Sequence, residues 1–287
     1  MVALRDIVIA GLLLGGIYAL VAVGMSLQYG VARVLNVAHG EFIMVGAFIT
    51  FWLFVNIKLS PLLSILITGP FMFIVGFVLH KTLFRRLMRA SLSLDAFEGK
   101  SLLATFGLLY VVQNIAIMIW GSDVEGYSYM VTSITAAKIP VNRLVALAFV
   151  VFLAAALYVF LGRTHMGKAI RASAQDPTVA ALMGVNIDNV LAICFGLGLA
   201  MAAIAGSLLS LVYQSITTGM GLMYTVYAMI VVVLGGLGSI TGSLVGGLIL
   251  GFVSAIVTHY KPSMIMIAFY AIFVLLLLVR PKGLMGK

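Results

Sequence analysis

Long apolar runs separated by short polar connectors dominate the chain. Runs at 7–29, 61–80, 101–120, 142–162, 189–213, 240–258 and 264–279 reach, or nearly reach, the roughly 20 residues a helix needs to cross about 30 Å of hydrocarbon, and shorter ones occupy 41–56 and 224–234. The pattern predicts an all-α, polytopic transmembrane helical bundle of 8–9 membrane segments, some short or broken, with 1–287 as a single transmembrane domain. The first run exceeds a usual signal-peptide core and has no clear small-x-small cleavage site before more membrane segments follow, so it is expected to be a retained helix.

The longest water-compatible stretch is the connector 163–188. It predicts two short helices meeting at a corner. Met166, Ile170 and Ala174 share one face and Lys168, Arg171 and Gln175 another. Asp176 is placed to cap the second helix, Pro177 suits its first position, Val179, Leu182 and Met183 form an apolar stripe, and Gly184 sits where a C-terminal cap is expected.

Charge placement sets orientation. Lys81, Arg85, Arg86, Arg89 and Lys100 cluster in one connector, Arg163, Lys168 and Arg171 in a second, and Arg280, Lys282 and Lys287 at the C-terminal end, so these three are expected in the cytoplasm. The connector 121–141, with Asp123 and Glu125 against Lys138, and the link 259–262 belong on the opposite side. Parity then requires an even number of crossings over 189–279, with a turn near 235–239 and an external N-terminus if every run crosses. A re-entrant or broken helix at 224–234 is the alternative, giving eight crossings.

Composition agrees: 63% of residues are hydrophobic and 9% charged, against roughly 25% charged in a soluble domain. The net charge of +9 lies in connectors rather than in a basic stripe with interleaved aromatics, which argues against nucleic acid. A lone Cys194 excludes an intrachain disulfide, and no Cys/His cluster points to a metal, so neither metal nor cofactor is expected. Thirty glycines concentrate partly at Gly235, Gly236, Gly238, Gly242 and Gly246, small-xxx-small spacings that suit close helix packing; no Gly-Lys-[Ser/Thr] follows to make a phosphate loop.

Polar groups inside apolar runs are the candidate chemistry. Asn36, His39 and Glu41 open the second run, where they either line a path or mark a helix end meeting water. Gln113 and Gln214 read as path-lining or as interhelical hydrogen-bonding groups, and Tyr18, in mid-span, is not accounted for by an aromatic belt. No catalytic elbow, zinc-protease motif or paired intramembrane acids occur, so enzyme activity is not expected. If solute moves uphill, energy comes from an ion gradient, for which Glu41 is the candidate ion site, or from another subunit, which gives the corner a purpose.

The chain resembles the integral-membrane permease subunits of branched-chain amino acid ATP-binding-cassette importers. The resemblance rests on Gly16-Ile-Tyr-Ala-Leu-Val-Ala-Val-Gly24 with Tyr29-Gly30, on Asn36 through Ala47, on Gly167 through Asp176 with Ala180 and Met183-Gly-Val-Asn186, on Val233 through Ser239 with Gly242 and Gly246-Gly247, and on Arg280 through Gly286. It implies a multi-pass protein of the bacterial inner membrane, paired with a second permease subunit as a hetero- or homodimer, two cytoplasmic ATP-binding subunits and a periplasmic solute-binding protein. It implies that 163–188 docks in a groove on the ATPase through Met166, Gly167, Lys168, Ile170, Arg171, Asp176, Pro177, Val179, Leu182, Met183 and Gly184. Similar motifs occur in permeases for urea, short-chain amides and aromatic or other carboxylates, so the cargo is less defined than the machine.

Overall fold

The computed structural model describes residues 2–134, 139–280 and 283–285. Lys138, Lys282 and Lys287, used above for orientation, and Pro281 and Gly286 of the terminal motif lie outside them. Among the described residues, eight helices are long and apolar enough to cross a membrane. In chain order the elements are α1 (Val2–Ala32), α2 (His39–Ile57), α3 (Pro61–Leu79), a π-helical turn (His80–Phe84), α4 (Arg85–Arg89), α5 (Leu94–Trp120), α6 (Val141–Arg163), α7 (His165–Gln175), α8 (Pro177–Leu182), α9 (Ile187–Tyr213), α10 (Met220–Gly235), α11 (Ile240–Tyr260) and α12 (Ile265–Val279). A two-residue antiparallel pair, β1 (Ser133–Ile134) with β2 (Ile139–Pro140), sits between α5 and α6.

α1 and α9 form the centre and are mostly buried, while α5, α6 and α12 lie at the perimeter and expose most of their apolar surface. Lipid is as apolar as a leucine side chain, so helices associate where small residues let backbones touch. α11 lies antiparallel to α1 for this reason. A Cβ on Gly15 would meet the Leu248 Cα at 2.9 Å, one on Gly251 would enter the Gly15 backbone, and the Ser26 and Ser243 hydroxyls pair at 2.5 Å. α9 meets α3 at Gly196 and Gly76, α2 at Ala203 and Gly46, and α1 at Gly198 and Gly24.

The short run forms a single helix, shorter than the candidate spans. α10 starts beside the strand-like bridge of Glu125 with Ile216 and ends in a turn over 236–239, where Leu284 N–H donates to Leu234 C=O at 2.9 Å and Met285 N–H to Gly235 C=O at 3.0 Å. Its 16 residues span only about 24 Å, and the irregular segment 214–219 joins it to the end of α9. α9 to α12 therefore run in alternating directions between the two ends of the bundle, and α10 is the one shorter than a full span among them, as the short run 224–234 led one to expect.

Two expectations change. The basic connector 81–100 is almost all helix: Lys81, Arg85, Arg86 and Arg89 continue the α3 rod, while α5 begins at Leu94. Ser93 accepts from Ala96 N–H at 3.1 Å and Asp95 lies in the first turn, which starts α5 earlier than hydropathy suggests. The second change is at 33–38. After Arg33, at φ 54°, the chain turns back along α1, and His39 Nε2 lies 3.1 Å from Val21 C=O, about 16 Å up the helix from Ala32. α2 thus starts inside the bundle.

These contacts yield a paired prediction. Gly251→Ala should lower the melting temperature in detergent by several degrees, because the methyl group has no room against α1. Gly99→Ala, in open space on α5, should leave it unchanged or raise it slightly; thermal unfolding of both variants checks the contrast.

Candidate functional site

The corner 163–188 is built by caps. Thr164 Oγ1 accepts from Gly167 N–H at 3.0 Å and starts α7, and a Cβ on Gly167 would collide with the Phe160 and Leu161 carbonyls. Asp176 Oδ1 accepts from Thr178 N–H at 2.8 Å and Val179 N–H at 3.0 Å, with Pro177 at the first position of α8. Gly184, at φ 85°, closes α8: its N–H reaches Ala181 C=O at 3.0 Å, and Val185 N–H reaches Ala180 C=O at 3.1 Å.

The helix faces differ from the sequence expectation. Ile170 is 1% exposed and Met166 half-buried, so both hold the corner against the bundle instead of facing outward, with Gly167 and Ser173 beside them. Ala174 faces out. Val179, Leu182 and Met183 are 54%, 83% and 81% exposed, an apolar knob on the face that also carries Lys168 and the Arg171 side chain, whose guanidinium donates to Leu161 C=O. Arg85 and Arg89 tie the same face to α9 through Asp188, at 2.6 and 3.7 Å, and Lys81 donates to Asn189 Oδ1 at 2.5 Å. These pairs are partly exposed and contribute little stability, but they fix where α9 begins.

Asn36, His39 and Glu41 come together within the bundle and are fully buried, which corrects the reading of a helix end meeting water. Asn36 donates to Gln28 Oε1 at 3.3 Å, and Gln28 in turn donates to Phe195 C=O at 3.3 Å. Gly40 N–H donates to Thr225 Oγ1 at 2.8 Å, and Thr225 donates to Val37 C=O at 3.0 Å. Among the described residues, both Glu41 carboxyl oxygens and His39 Nδ1 lack a hydrogen-bond partner. The Glu41 carboxyl fills the recess left by Gly221, where any Cβ would overlap it. Thr225 carries much of this network, yet nothing in its sequence context marks it.

A cavity of about 290 Å³ lies on the opposite face of α10, bordered by Tyr18, Tyr213, Tyr224, Tyr227, Met220 and Ser254. The Tyr227 ring is the hub, 5.7 Å from both Tyr18 and Tyr224 and 4.9 Å from Phe269 in edge-on contacts. Of the six candidate path residues, Tyr18 alone borders this space. Gln113 is half-buried on the perimeter helix α5. Gln214, at φ 57°, terminates α9. Outside the spanning segments, burial pushes the Tyr127 phenol up to about 12, and its hydroxyl lies 2.9 Å from Ser210 Oγ. The glycine run makes close contacts: Gly235 meets Gly242, Gly238 meets Gly30, Gly246 meets Val231 and Gly236 meets Gly283. Cys194 is buried, and the described residues contain no group of three or more potential metal ligands.

Residues 7–279 match the family described as the branched-chain amino acid transport system permease component. The high-affinity branched-chain amino acid transport system permease protein LivH of Salmonella typhimurium is 33% identical over 294 residues, covering 96% of this chain and 94% of that protein. LivH of Escherichia coli K12 is 32% identical and BraD of Pseudomonas aeruginosa 30%, with the same coverage. Among solved structures, PsaBC from Streptococcus pneumoniae in complex with Fab aligns at a TM-score of 0.52 and 12% identity, over 98% of this chain and 92% of that one, a likeness of fold.

The recess at Gly221 makes a suppression test. Gly221→Ala should reduce recovery of monodisperse protein and its melting temperature, and adding Glu41→Ala should restore much of both. Size-exclusion profiles and thermal unfolding of the two variants measure it.

Proposed function

The chain belongs to the family of branched-chain amino acid transport system permease components, and from that premise we propose that it is one permease subunit of an ATP-binding-cassette importer for branched-chain amino acids. It pairs with a second permease subunit, homologous or identical, in the bacterial inner membrane. Two cytoplasmic ATP-binding subunits drive the pair, a periplasmic binding protein delivers solute, and the chain itself catalyses no reaction. The whole of 1–287 serves as one transmembrane unit with 163–188 as its coupling loop.

The observation that carries this reading is the knob of Val179, Leu182 and Met183, apolar side chains exposed on the basic face of a membrane protein and held on a corner capped at both ends. Such a surface suits a helix-in-groove contact. Lys168 and Arg171 flank it, and the buried Ile170 and Ala180 transmit displacement of the corner to the bundle. The tyrosine cavity supplies half of a passage: ring faces and Met220 suit an aliphatic side chain, while phenol and serine hydroxyls offer passing hydrogen bonds to a zwitterionic head. Aligned glycines let α1, α9 and α11 slide against one another with little side-chain interlock.

In the assembled transporter, replacing Leu182 and Met183 by Asp should leave membrane insertion intact and lower binding-protein-stimulated ATPase activity and uptake about tenfold or more, the loss expected when apolar anchors leave a partner groove. Unchanged stimulation would overturn the coupling role. Uptake driven by a proton or sodium gradient without any ATPase would establish an ion-coupled carrier instead.

A further inference from the structure

A second cavity, of about 230 Å³, lies directly beneath the corner where the end of α1, α4 and the start of α5 meet α7, α8 and the start of α9. Four kinds of group border it. Arg33 brings a guanidinium that pairs with no carboxylate among the described residues and rests 5.8 Å from the Tyr29 ring. The Ser173 hydroxyl is buried, at 2% exposure, and has no hydrogen-bond partner. The last turns of α1, at 30–32, and of α7, at 173–175, both face the space, and the final carbonyls of a helix lack intrahelical partners and carry the negative end of its dipole. Met88, Leu94 and Leu191 form an apolar wall.

Unpaired cation, unsatisfied buried hydroxyl, negative helix ends and aliphatic wall together describe a complement to a small zwitterion with an aliphatic tail. The volume lies below the roughly 300–1,000 Å³ of pockets for larger ligands, so the occupant is small. We propose that this cavity is a regulatory site for a free aliphatic amino acid on the cytoplasmic side, its carboxylate on Arg33 and Ser173, its ammonium against the α1 and α7 termini and its tail on Met88, Leu94 and Leu191. The ligand's identity rests on the transport reading above. Ser173, Gln175 and Pro177 belong to the corner and the other lining groups to the bundle, so an occupant braces one against the other and resists the displacement that coupling requires. Accumulated cargo thereby slows its own import.

The test uses the whole transporter in proteoliposomes with ATP in the lumen and with binding protein and labelled leucine outside. The initial uptake rate is read as luminal unlabelled leucine is varied, with 4-methylpentanoate and isoamylamine as probes lacking one charge each. Luminal leucine should lower the rate and each single-charge probe should be much weaker. Arg33→Gln should raise the half-inhibiting leucine concentration about tenfold, the loss of one charge-assisted contact. Leu94→Trp, at an exposed position on the rim, should fill the apolar side and abolish the inhibition. Both variants should keep the wild-type rate with an empty lumen. Normal uptake that ignores luminal leucine, or inhibition equal in wild type and Arg33→Gln, overturns the site. No uptake even with an empty lumen overturns the transport reading, and the ligand assigned from it.

Discussion

Helices in hydrocarbon gain nothing by merely hiding apolar side chains from one another, and close backbone approach at small residues is what this structure depends on. α1 and α9 are held by their neighbours through Gly15, Gly24, Gly46, Gly76, Gly196, Gly198 and Gly251, positions where a single methyl group would strike backbone. Buried hydroxyl pairs reinforce these seams, Ser26 with Ser243 and Thr50 with Ser207, the latter at 2.8 Å, alongside side-chain bonds to backbone such as Gln28 to Phe195 C=O and Ser207 to Gly46 C=O. The result is a set of seams in which backbones approach closely.

The inward turn at 33–38 breaks regular helix within the bundle, and it is tolerated because its polar groups find partners inside the protein. Asn36, Gln28, Thr105 and Thr225 satisfy backbone and amide groups that lipid would leave bare. Glu41 stands apart in that network, its carboxyl seated against Gly221 without a hydrogen-bond partner among the described residues. The same turn carries Arg33 to the edge of the cavity beneath the corner, so one irregular segment links the interior of the bundle to its basic face.

Capping is what gives that corner its fixed shape. Thr164, Asp176 and Gly184 each satisfy or redirect the chain at a helix end, and α8, only six residues long, owes its shape to them. The corner's inward residues, Ile170 and Ala180, are buried, and its outward ones, Val179, Leu182 and Met183, are bare.

Local chemistry was readable from the chain alone. Hydropathy placed the spanning helices, the glycines at 235–238 marked the turn between α10 and α11, and the Asp176-Pro177 and Gly184 signals marked the corner's caps, because each depends on near neighbours or on bulk transfer to lipid. Helix faces were less legible: Ile170 and Met166 belong to the same apolar pattern as Leu182 and Met183, and only packing against α6 and α9 decides which of them stay bare. The burial of Asn36, His39 and Glu41, the tyrosine cavity around Tyr18 and the separation of Gln113 from it were decided by tertiary structure, since they arise where segments distant in sequence meet. A pattern along one helix specifies what must leave water, whereas which polar groups share a cavity depends on how several helices cross.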